Sequence, residues 1–161
     1  MALRARRAGG DWQVFSPLRF GYYGSAKKIT TPLIMVHAVS LGEVRASQPL
    51  VKALLDEGHT VLFTHLTATG YAEGSQLFAE AIAQGQLIQQ WLPYDFPGAV
   101  RRFFAYYQPR LVVMMEREIW PNLLHQAAKL DLPLLLVSAR FSAKSLRQTI
   151  RMGPLMQRAL G

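Results

Sequence analysis

Residues 33–45 read LIMVHAVSLGEVR, a short apolar run that passes through a turn into a segment with helical spacing. Short apolar runs of this kind are typical of strands that are covered on both faces. In the segment that follows, Val44, Val51 and Leu55 recur at a spacing near 3.6 residues, and Gly58 supplies a stop. The stretch therefore predicts a buried strand followed by an amphipathic helix.

The same alternation continues along the chain. Further apolar runs lie at residues 60–66, 87–92, 111–115 and 134–138, and helical segments are predicted at residues 43–57, 71–84, 98–107 and 121–130. Strands that alternate with helices at crossover spacing indicate a parallel sheet with helices on both sides. We predict an α/β fold, a Rossmann-like doubly wound parallel sheet. Ligands of such sheets bind outside the carboxyl ends of the strands, so the turns that follow the strands are the candidate site.

Composition narrows the class of protein. The chain has 161 residues, the size of one domain, and 50% of them are hydrophobic, which excludes a disordered tail. It contains no cysteine, so disulfides and thiolate metal sites are excluded. No strand is followed by G-x-G-x-x-G, and G-x-x-x-x-G-K-S/T does not occur. This argues against a dinucleotide fingerprint and against a P-loop.

Charge is concentrated at the two ends of the chain. The formal net charge is +8, and residues 1–31 and 140–161 each contribute +5, whereas residues 32–139 sum to −2. A basic balance is typical of proteins that bind nucleic acid or an anionic membrane, but no helix-turn-helix or RNA-binding sheet motif is present. The apolar runs fall short of the ~20 residues of a membrane span, and the start, MALRARRAGGDW, lacks the apolar stretch of a secretory signal. A basic cluster such as residues 4–7 is either a solvated terminus or the cytoplasmic flank of a membrane anchor.

The first turn contains Ser40, Gly42 and Glu43. Backbone N–H groups and a hydroxyl at the end of a strand suit an anion or a polar ligand. The alternative is a capping box, in which Ser40 caps the helix and Glu43 completes the cap three residues later. A glutamate at the carboxyl edge of a parallel sheet is also well placed to act as a general base.

The second turn gathers hydroxyl groups and a glycine at Thr67, Thr69 and Gly70. These residues either cap the next helix or contact a phosphate or a sugar. His65, within an apolar strand, is more typical of a hydrogen-bonded core histidine than of a ligand. With no second histidine at ligand spacing and no cysteine, the pattern argues against a zinc site.

Acidic residues mark the third and fourth turns. Asp95 precedes the helix that starts at residue 97 and is expected to cap it. Glu116 and Glu118 end a buried strand, where carboxylates are costly to place unless they are paired or used. The partner of an ion pair would be Arg117 or Arg140.

Taken together, these turns resemble the amino-terminal half of the bacterial 3-deoxy-D-manno-octulosonic acid (Kdo) transferases. The segments that carry the resemblance are RFGYY at 19–23, HAVSLGEV at 37–44, TATG at 67–70, LPYDFPGAVRRF at 92–103, MEREIWPN at 115–122 and SARFSAKS at 138–145. They occur in the order and at the spacing of the family.

The resemblance implies a GT-B glycosyltransferase whose amino-terminal Rossmann-like domain holds the acceptor. Enzymes of this family transfer Kdo from CMP-Kdo to the lipid A precursor, with inversion at the anomeric carbon and without a metal or another cofactor. The implied general base is Glu43, in the SxGE motif, and Glu116 is the second catalytic acidic position. Residues that we expect to contact the acceptor are Ser40, Gly42, Arg45, Thr67, Thr69, Gly70, Glu118 and Arg140.

The family pattern also implies a domain organisation. A hydrophobic membrane anchor precedes the basic stretch in the family, and a donor-binding domain follows. We therefore expect residues 1–31 to be a basic, aromatic lead-in and residues 32–161 to be the acceptor-binding domain, with the anchor and the donor domain absent from this sequence.

Such a chain would be inactive alone. It would lie peripherally at the cytoplasmic face of the bacterial inner membrane, in contact with anionic lipid and the lipid A precursor but not with nucleic acid. The alternative is a non-catalytic Rossmann-like module that binds anionic lipid through its flanks.

Overall fold

The computed structural model of the protein describes residue 13 and residues 15–24, 31–116 and 120–137. Its strands are β1 (Leu33–His37), β2 (Thr60–His65), β3 (Leu87–Trp91), β4 (Pro109–Met115) and β5 (Leu134–Val137). Its α-helices are α1 (Leu41–Asp56), α2 (Ala68–Leu77), α3 (Ala79–Ala83), α4 (Pro97–Tyr107) and α5 (Pro121–Lys129), and a short 3-10 helix at Pro17–Phe20 precedes them. The predicted α/β alternation is confirmed.

All the strand pairs are parallel, and the order across the sheet is β3-β2-β1-β4-β5. β1 lies at the centre, and each of its residues is buried, as the apolar run predicts. The direction in which the chain builds the sheet reverses between β1 and β4. In doubly wound sheets, this reversal opens a crevice at the carboxyl ends of the two strands, where ligands bind.

A hydrophobic core covers each face of the sheet. Alternate residues of a strand point to opposite faces, so Leu33 and Met35 join one core, whereas Ile34 and Val36 join the other. The first core is completed by α4 and α5, and the second by α1 and by Phe78 between α2 and α3. The sheet therefore lies between two layers of helices, and its carboxyl edge lies between them. No helix within the described part of the chain is long and apolar enough to cross a membrane.

One predicted helix is two helices in the structure. The segment predicted at residues 71–84 breaks at Phe78, whose φ of −119° and ψ of 25° leave the helical region. The Phe78 side chain is buried and meets the Phe63 ring edge-on, with ring centroids 5.6 Å apart. The break lets this ring reach β2, so tertiary packing overrides the local helical pattern.

Part of the predicted lead-in belongs to the domain itself. Arg19 is fully buried, and its Nη1 donates a hydrogen bond to the Leu92 carbonyl at 2.9 Å. The guanidinium lies over the rings of Trp91 and Tyr94, 4.9 and 4.8 Å from their centroids. Burial lowers the pKa of Arg19 from its ordinary value. This arginine, which the sequence counts with the basic flank, therefore contributes nothing to a basic surface.

The same segment is fastened to α4. The Arg102 guanidinium donates to the Phe20 carbonyl from Nε at 3.1 Å and from Nη2 at 2.6 Å. Gly21 has a φ of 81°, and a Cβ at this position would lie 2.5 Å from the Ala99 carbonyl oxygen. Only glycine meets both conditions without displacing α4. The lead-in is thus packed against the helix that follows β3.

Candidate functional site

The candidate site lies where the chain reverses direction in the sheet. Glu43 follows β1 by six residues and Glu116 directly follows β4, and these two strands are neighbours in the sheet. His37 and Met114, near the strand ends, are partners in the parallel register. The two glutamates that the sequence selects therefore belong to the pair of turns that border the crevice.

Glu43 is held in a defined position by the turn that precedes α1. Its carboxylate accepts hydrogen bonds from the Val39 N–H at Oε2 and from the Ser40 hydroxyl at Oε1, both at 2.8 Å. The Ser40 hydroxyl in turn accepts the Glu43 N–H at 3.4 Å, and it caps the helix. The glutamate is only 8% exposed. The predicted cap of α1 by Ser40 is confirmed. The returning hydrogen bond of the capping box differs, because the Glu43 carboxylate accepts the backbone N–H of Val39 rather than that of Ser40.

The Glu43 carboxylate keeps free acceptor positions after it has capped α1. An ionised carboxylate has about four acceptor positions, and the two hydrogen bonds leave each Glu43 oxygen with one. The same contacts that cap α1 fix the direction in which the remaining lone pairs point. The arrangement can therefore serve both the helix and a proton transfer.

The second turn supports the first. The Thr67 hydroxyl donates to the Val39 carbonyl at 2.6 Å and accepts the Gly70 N–H at 3.1 Å. A Cβ at Gly70 would lie 2.6 Å from the same Val39 oxygen, so glycine is required for α2 to approach this closely. Thr67 and Gly70 are thus engaged in holding the turn that carries Glu43. Thr69 is exposed beside them.

Two further residues expected at the acceptor lie on the exposed side of α1. Gly42 is exposed, and a Cβ built on it would have the Ser40 hydroxyl, 3.9 Å away, as its nearest neighbour. Arg45 donates from Nε to the Glu73 carboxylate at 2.7 Å, and this hydrogen bond raises the pKa of Arg45. The pair links α1 to α2.

His65 is a core histidine, as the sequence indicates. Nδ1 donates to the Ala38 carbonyl at 2.9 Å, and Nε2 accepts from the Gln89 amide at 3.0 Å. Burial lowers the pKa of His65 to about 4. A Cβ at Gly74 would lie 2.6 Å from the Gln89 amide nitrogen and 2.9 Å from His65 Nε2, which explains the glycine.

The sequence pattern does not single out His37, although it is the last residue of the central strand. The ring is fully buried, with Nδ1 3.1 Å from the Thr64 carbonyl oxygen and 2.9 Å from the Thr64 hydroxyl. Burial is the main cause that lowers the pKa of His37 to about 3. The neutral ring joins the carboxyl ends of β1 and β2 beneath the two turns.

The role predicted for Asp95 is wrong in its target. Asp95 does not cap α4, whose N-cap residue, Phe96, makes no side-chain cap. Its carboxylate instead accepts the backbone N–H groups of Asn122 at 3.0 Å and Leu123 at 2.9 Å, which open α5. The Asp95 side chain reaches α5 because this helix begins beside the loop after β3. The N-cap residue of α5, Trp120, makes no side-chain cap hydrogen bond.

Glu116 leaves the sheet immediately after β4. Its N–H donates to the Val137 carbonyl at 2.8 Å, and its φ of 57° lies in the left-handed region. The residue is exposed, so the expected cost of burying a carboxylate does not apply to it. Glu118, Arg117 and Arg140 lie outside the described residues, and the expected ion pair with either arginine stays a prediction.

Glu116 is one of four non-glycine residues with a positive φ among the described residues, together with Gln13, Gln108 and Asp131. A non-glycine residue in this region costs roughly 1–2 kcal/mol. Strained residues of this kind cluster at functional sites, where the surrounding structure holds them. Here the strained residue adjoins the crevice that the fold provides.

Comparisons with known proteins show which family the chain resembles. A sequence profile described as "3-Deoxy-D-manno-octulosonic-acid transferase (kdotransferase)" matches residues 16–161. The chain is 59% identical over 160 residues to a 3-deoxy-D-manno-octulosonic acid transferase of Bordetella pertussis, a match that covers 98% of this chain and 37% of that protein. Two proteins of the same name are similar over shorter stretches. The Haemophilus influenzae protein is 38% identical over 129 residues (79% of this chain, 29% of the relative), and the Chlamydia pneumoniae protein is 30% identical over 138 residues (84% and 31%). The chain spans about a third of the length of these relatives.

Proposed function

The chain belongs to the 3-deoxy-D-manno-octulosonic-acid (Kdo) transferase family, and from this we propose that it acts in the transfer of Kdo from CMP-Kdo to a lipid A precursor. The acceptor is bound in the crevice at the carboxyl ends of β1 and β4, and Glu43 is the general base. A second domain of the transferase binds CMP-Kdo, because GT-B chemistry takes place in the cleft between two domains. The reaction is part of lipopolysaccharide inner-core synthesis and uses no metal or other cofactor.

The position and fixation of Glu43 carry the proposal. A sugar hydroxyl is a poor nucleophile until a base within hydrogen-bond reach takes its proton. In the proposed step, a Glu43 carboxylate oxygen accepts that proton while the acceptor oxygen forms a bond to the anomeric carbon of Kdo. The bond from this carbon to the CMP phosphate breaks, and CMP leaves. A single displacement of this kind inverts the anomeric carbon.

The remaining acceptor contacts are those that the family resemblance implies. We assign contacts with the acceptor to Ser40, Gly42, Arg45 and Thr69, which follow β1 and β2 in the chain. Thr67 and Gly70 act one step away, since they hold the Val39 carbonyl. We assign the role of the second catalytic carboxylate to Glu116, which directly follows β4. Glu118 and Arg140 keep their expected acceptor contacts as part of the proposal.

The setting of the reaction is also part of the proposal. The acceptor is a lipid, so we place the chain at the cytoplasmic face of the bacterial inner membrane, as a peripheral protein. The basic residues at 1–31 other than the buried Arg19, and those at 140–161, suit an anionic surface, where each basic side chain near the lipid gains about 1 kcal/mol.

A chimaera tests the role of Glu43 directly. This chain replaces the corresponding residues of the Bordetella pertussis relative, and transfer from CMP-Kdo to the lipid A precursor is measured. Glu43→Gln should lower the rate by about 10²–10⁴, the usual contribution of a general base. Glu80→Gln, an exposed change of the same kind on α3, should leave the rate unchanged.

Three results would each contradict a part of the proposal. A Glu43→Gln chimaera that transfers Kdo within a few-fold of the unmodified chimaera would exclude Glu43 as the base. Full transfer by the 161-residue chain alone would contradict the need for a second domain. An inactive unmodified chimaera, together with binding of this chain to anionic vesicles, would favour the non-catalytic lipid-binding module.

A further inference from the structure

A cationic groove lies between α4 and α5, apart from the residues assigned to Kdo transfer. It is open to solvent and has a volume of about 380 Å³. The residues that line it are Pro97, Gly98, Arg101, Asn122, His125, Gln126 and Lys129. Every side chain in this set that ionises is basic, although residues 32–139 as a whole sum to −2.

The two permanent cations of the groove, Arg101 and Lys129, are exposed to solvent, and within the described part of the chain neither has a hydrogen-bond or ion-pair partner. Other arginines are engaged: Arg45 pairs with Glu73, and Arg102 donates to the Phe20 carbonyl. Because these side chains are exposed, water screens the repulsion between them, but an anion bound in the groove would be attracted by both charges.

The nearest acidic side chain on the adjoining loop does not neutralise the groove. The Asp95 carboxylate accepts the N–H groups of Asn122 and Leu123, so its charge is directed at the amino-terminal end of α5. Asn122 also donates its Nδ2 to the Asp95 carbonyl at 2.6 Å, which fixes the amide at one end of the groove. Arg101 and Lys129 are therefore left facing a space that is available to a ligand.

Size and chemistry together select the ligand. A guanidinium and an ammonium are the side chains that bind phosphate, the first through paired N–H groups and the second as a point charge. The volume exceeds what a phosphate ion needs and falls in the range of small-molecule sites. The Gln126 amide lies in the same lining and can bond to a hydroxyl group. We propose that this groove is a binding site for a phosphate monoester carried on a sugar-sized group.

The groove also has a defined place relative to the crevice. Pro97, Gly98 and Asn122 open α4 and α5, which follow β3 and β4, so this end of the groove lies at the same carboxyl edge of the sheet as Glu43. If the proposed function holds, the phosphate belongs to the acceptor, whose reacting hydroxyl lies in the crevice. Phosphate binding itself does not depend on that function.

The test measures binding by this chain with N-acetylglucosamine 1-phosphate as the probe and N-acetylglucosamine as the uncharged control. We expect saturable binding of the phosphorylated sugar alone. The double variant Arg101→Gln/Lys129→Gln should weaken it at least about tenfold, because two charge-assisted hydrogen bonds are lost. The matched variant Lys52→Gln/Arg110→Gln removes the same charge from positions that are equally exposed but lie outside the groove, and it should change the affinity less than about twofold.

Two outcomes would overturn the proposal. One is the absence of saturable binding tighter than about 10 mM to the unmodified chain. The other is an equal loss in both double variants, which would show that only net charge matters. The Kdo transfer assay is not involved, so failure here is distinguishable from failure of the proposed function.

A vesicle arm identifies the source of the phosphate. Sedimentation with phosphatidylglycerol vesicles, against phosphatidylcholine vesicles, is compared for the unmodified chain and the groove variant. Equal sedimentation of both proteins, together with weakened binding of the sugar phosphate, supports a phosphorylated acceptor as the ligand. Loss of both activities in the groove variant supports a lipid headgroup as the source of the same phosphate chemistry.

Discussion

Replacing Asp95 by alanine should destabilise α5, although Asp95 lies on the loop before α4. The substitution removes the acceptor of the Asn122 and Leu123 N–H groups, which are the second and third helical positions of α5. Loss of an N-cap side chain costs about 0.5–2 kcal/mol. Loss of a negative charge at a helix amino terminus adds roughly 0.3–1 kcal/mol. We therefore expect the free energy of unfolding to fall by about 2 kcal/mol.

Urea unfolding of the chain measures this loss, and amide hydrogen exchange shows where it falls. Exchange should accelerate at Asn122 and Leu123 and stay unchanged at Ala99, in the first turn of α4. Asp95→Asn keeps one acceptor oxygen and should lose less than the alanine variant. Asp56→Ala, at the exposed end of α1, is the control for loss of an aspartate.

The distribution of exchange decides between the two possible caps. If the faster exchange appeared at Ala99 rather than at Leu123, Asp95 would cap its own helix, and the cross-helix contact would be refuted. A loss below about 0.5 kcal/mol would also refute the reasoning, since it would fall under the range for any N-cap. A cooperative transition with an unchanged slope would show that only stability has changed.

Three further predictions follow from the buried histidines, the glycines and the strained glutamate. His37 and His65, with pKa values of about 3 and 4 against an unfolded value of 6.5, stay neutral in the fold while the unfolded chain takes up protons. The free energy of unfolding should therefore fall as pH drops from 6.5 towards 4, by up to about 1.4 kcal/mol per pH unit for each histidine. A slope that is unchanged in His65→Gln would contradict this. Gly70→Ala places a methyl carbon 2.6 Å from a backbone carbonyl oxygen and should cost about 1–3 kcal/mol in urea unfolding, whereas Gly42→Ala, which meets only a hydroxyl at 3.9 Å, should not destabilise the chain. Glu116→Gly relieves the left-handed backbone, so it should raise the free energy of unfolding by up to about 1 kcal/mol while lowering Kdo transfer by the chimaera, and a loss of stability would show that no strain is stored there.

Local pattern was sufficient to predict the layers of the fold. Each predicted strand is present, and the central one, Leu33–His37, is buried along its whole length, as an unbroken apolar run requires. The capping signal at Ser40 and Glu43 is likewise local, because a helix start needs only residues three apart in sequence. Contacts between residues only a few positions apart can therefore be predicted from the sequence pattern.

The contacts that the sequence did not reveal join residues far apart in the chain. Arg19 is buried against the Leu92 carbonyl, 73 residues away, and Asp95 caps α5 by accepting the N–H of Asn122, 27 residues later. From the sequence, Arg19 looks like a solvated residue of a basic flank. Its burial depends on the rings of Trp91 and Tyr94, which are far away in the chain. Similarly, Asp95 lies two residues before α4 and so has the pattern of a cap for that helix. Only the fold brings α5 beside it.

These long-range contacts connect the lead-in to the candidate site. Arg19 holds the loop after β3 through the Leu92 carbonyl, and the Tyr94 N–H returns a hydrogen bond to the Arg19 carbonyl at 2.8 Å. The next residue, Asp95, fixes the amino-terminal end of α5, the helix that follows the turn of Glu116. Since hydrogen bonds to a buried or charged group are costly to leave unmade, these contacts fasten the lead-in, the loop after β3 and the start of α5 to one another. The segment that precedes the sheet therefore helps to set the geometry of one side of the crevice.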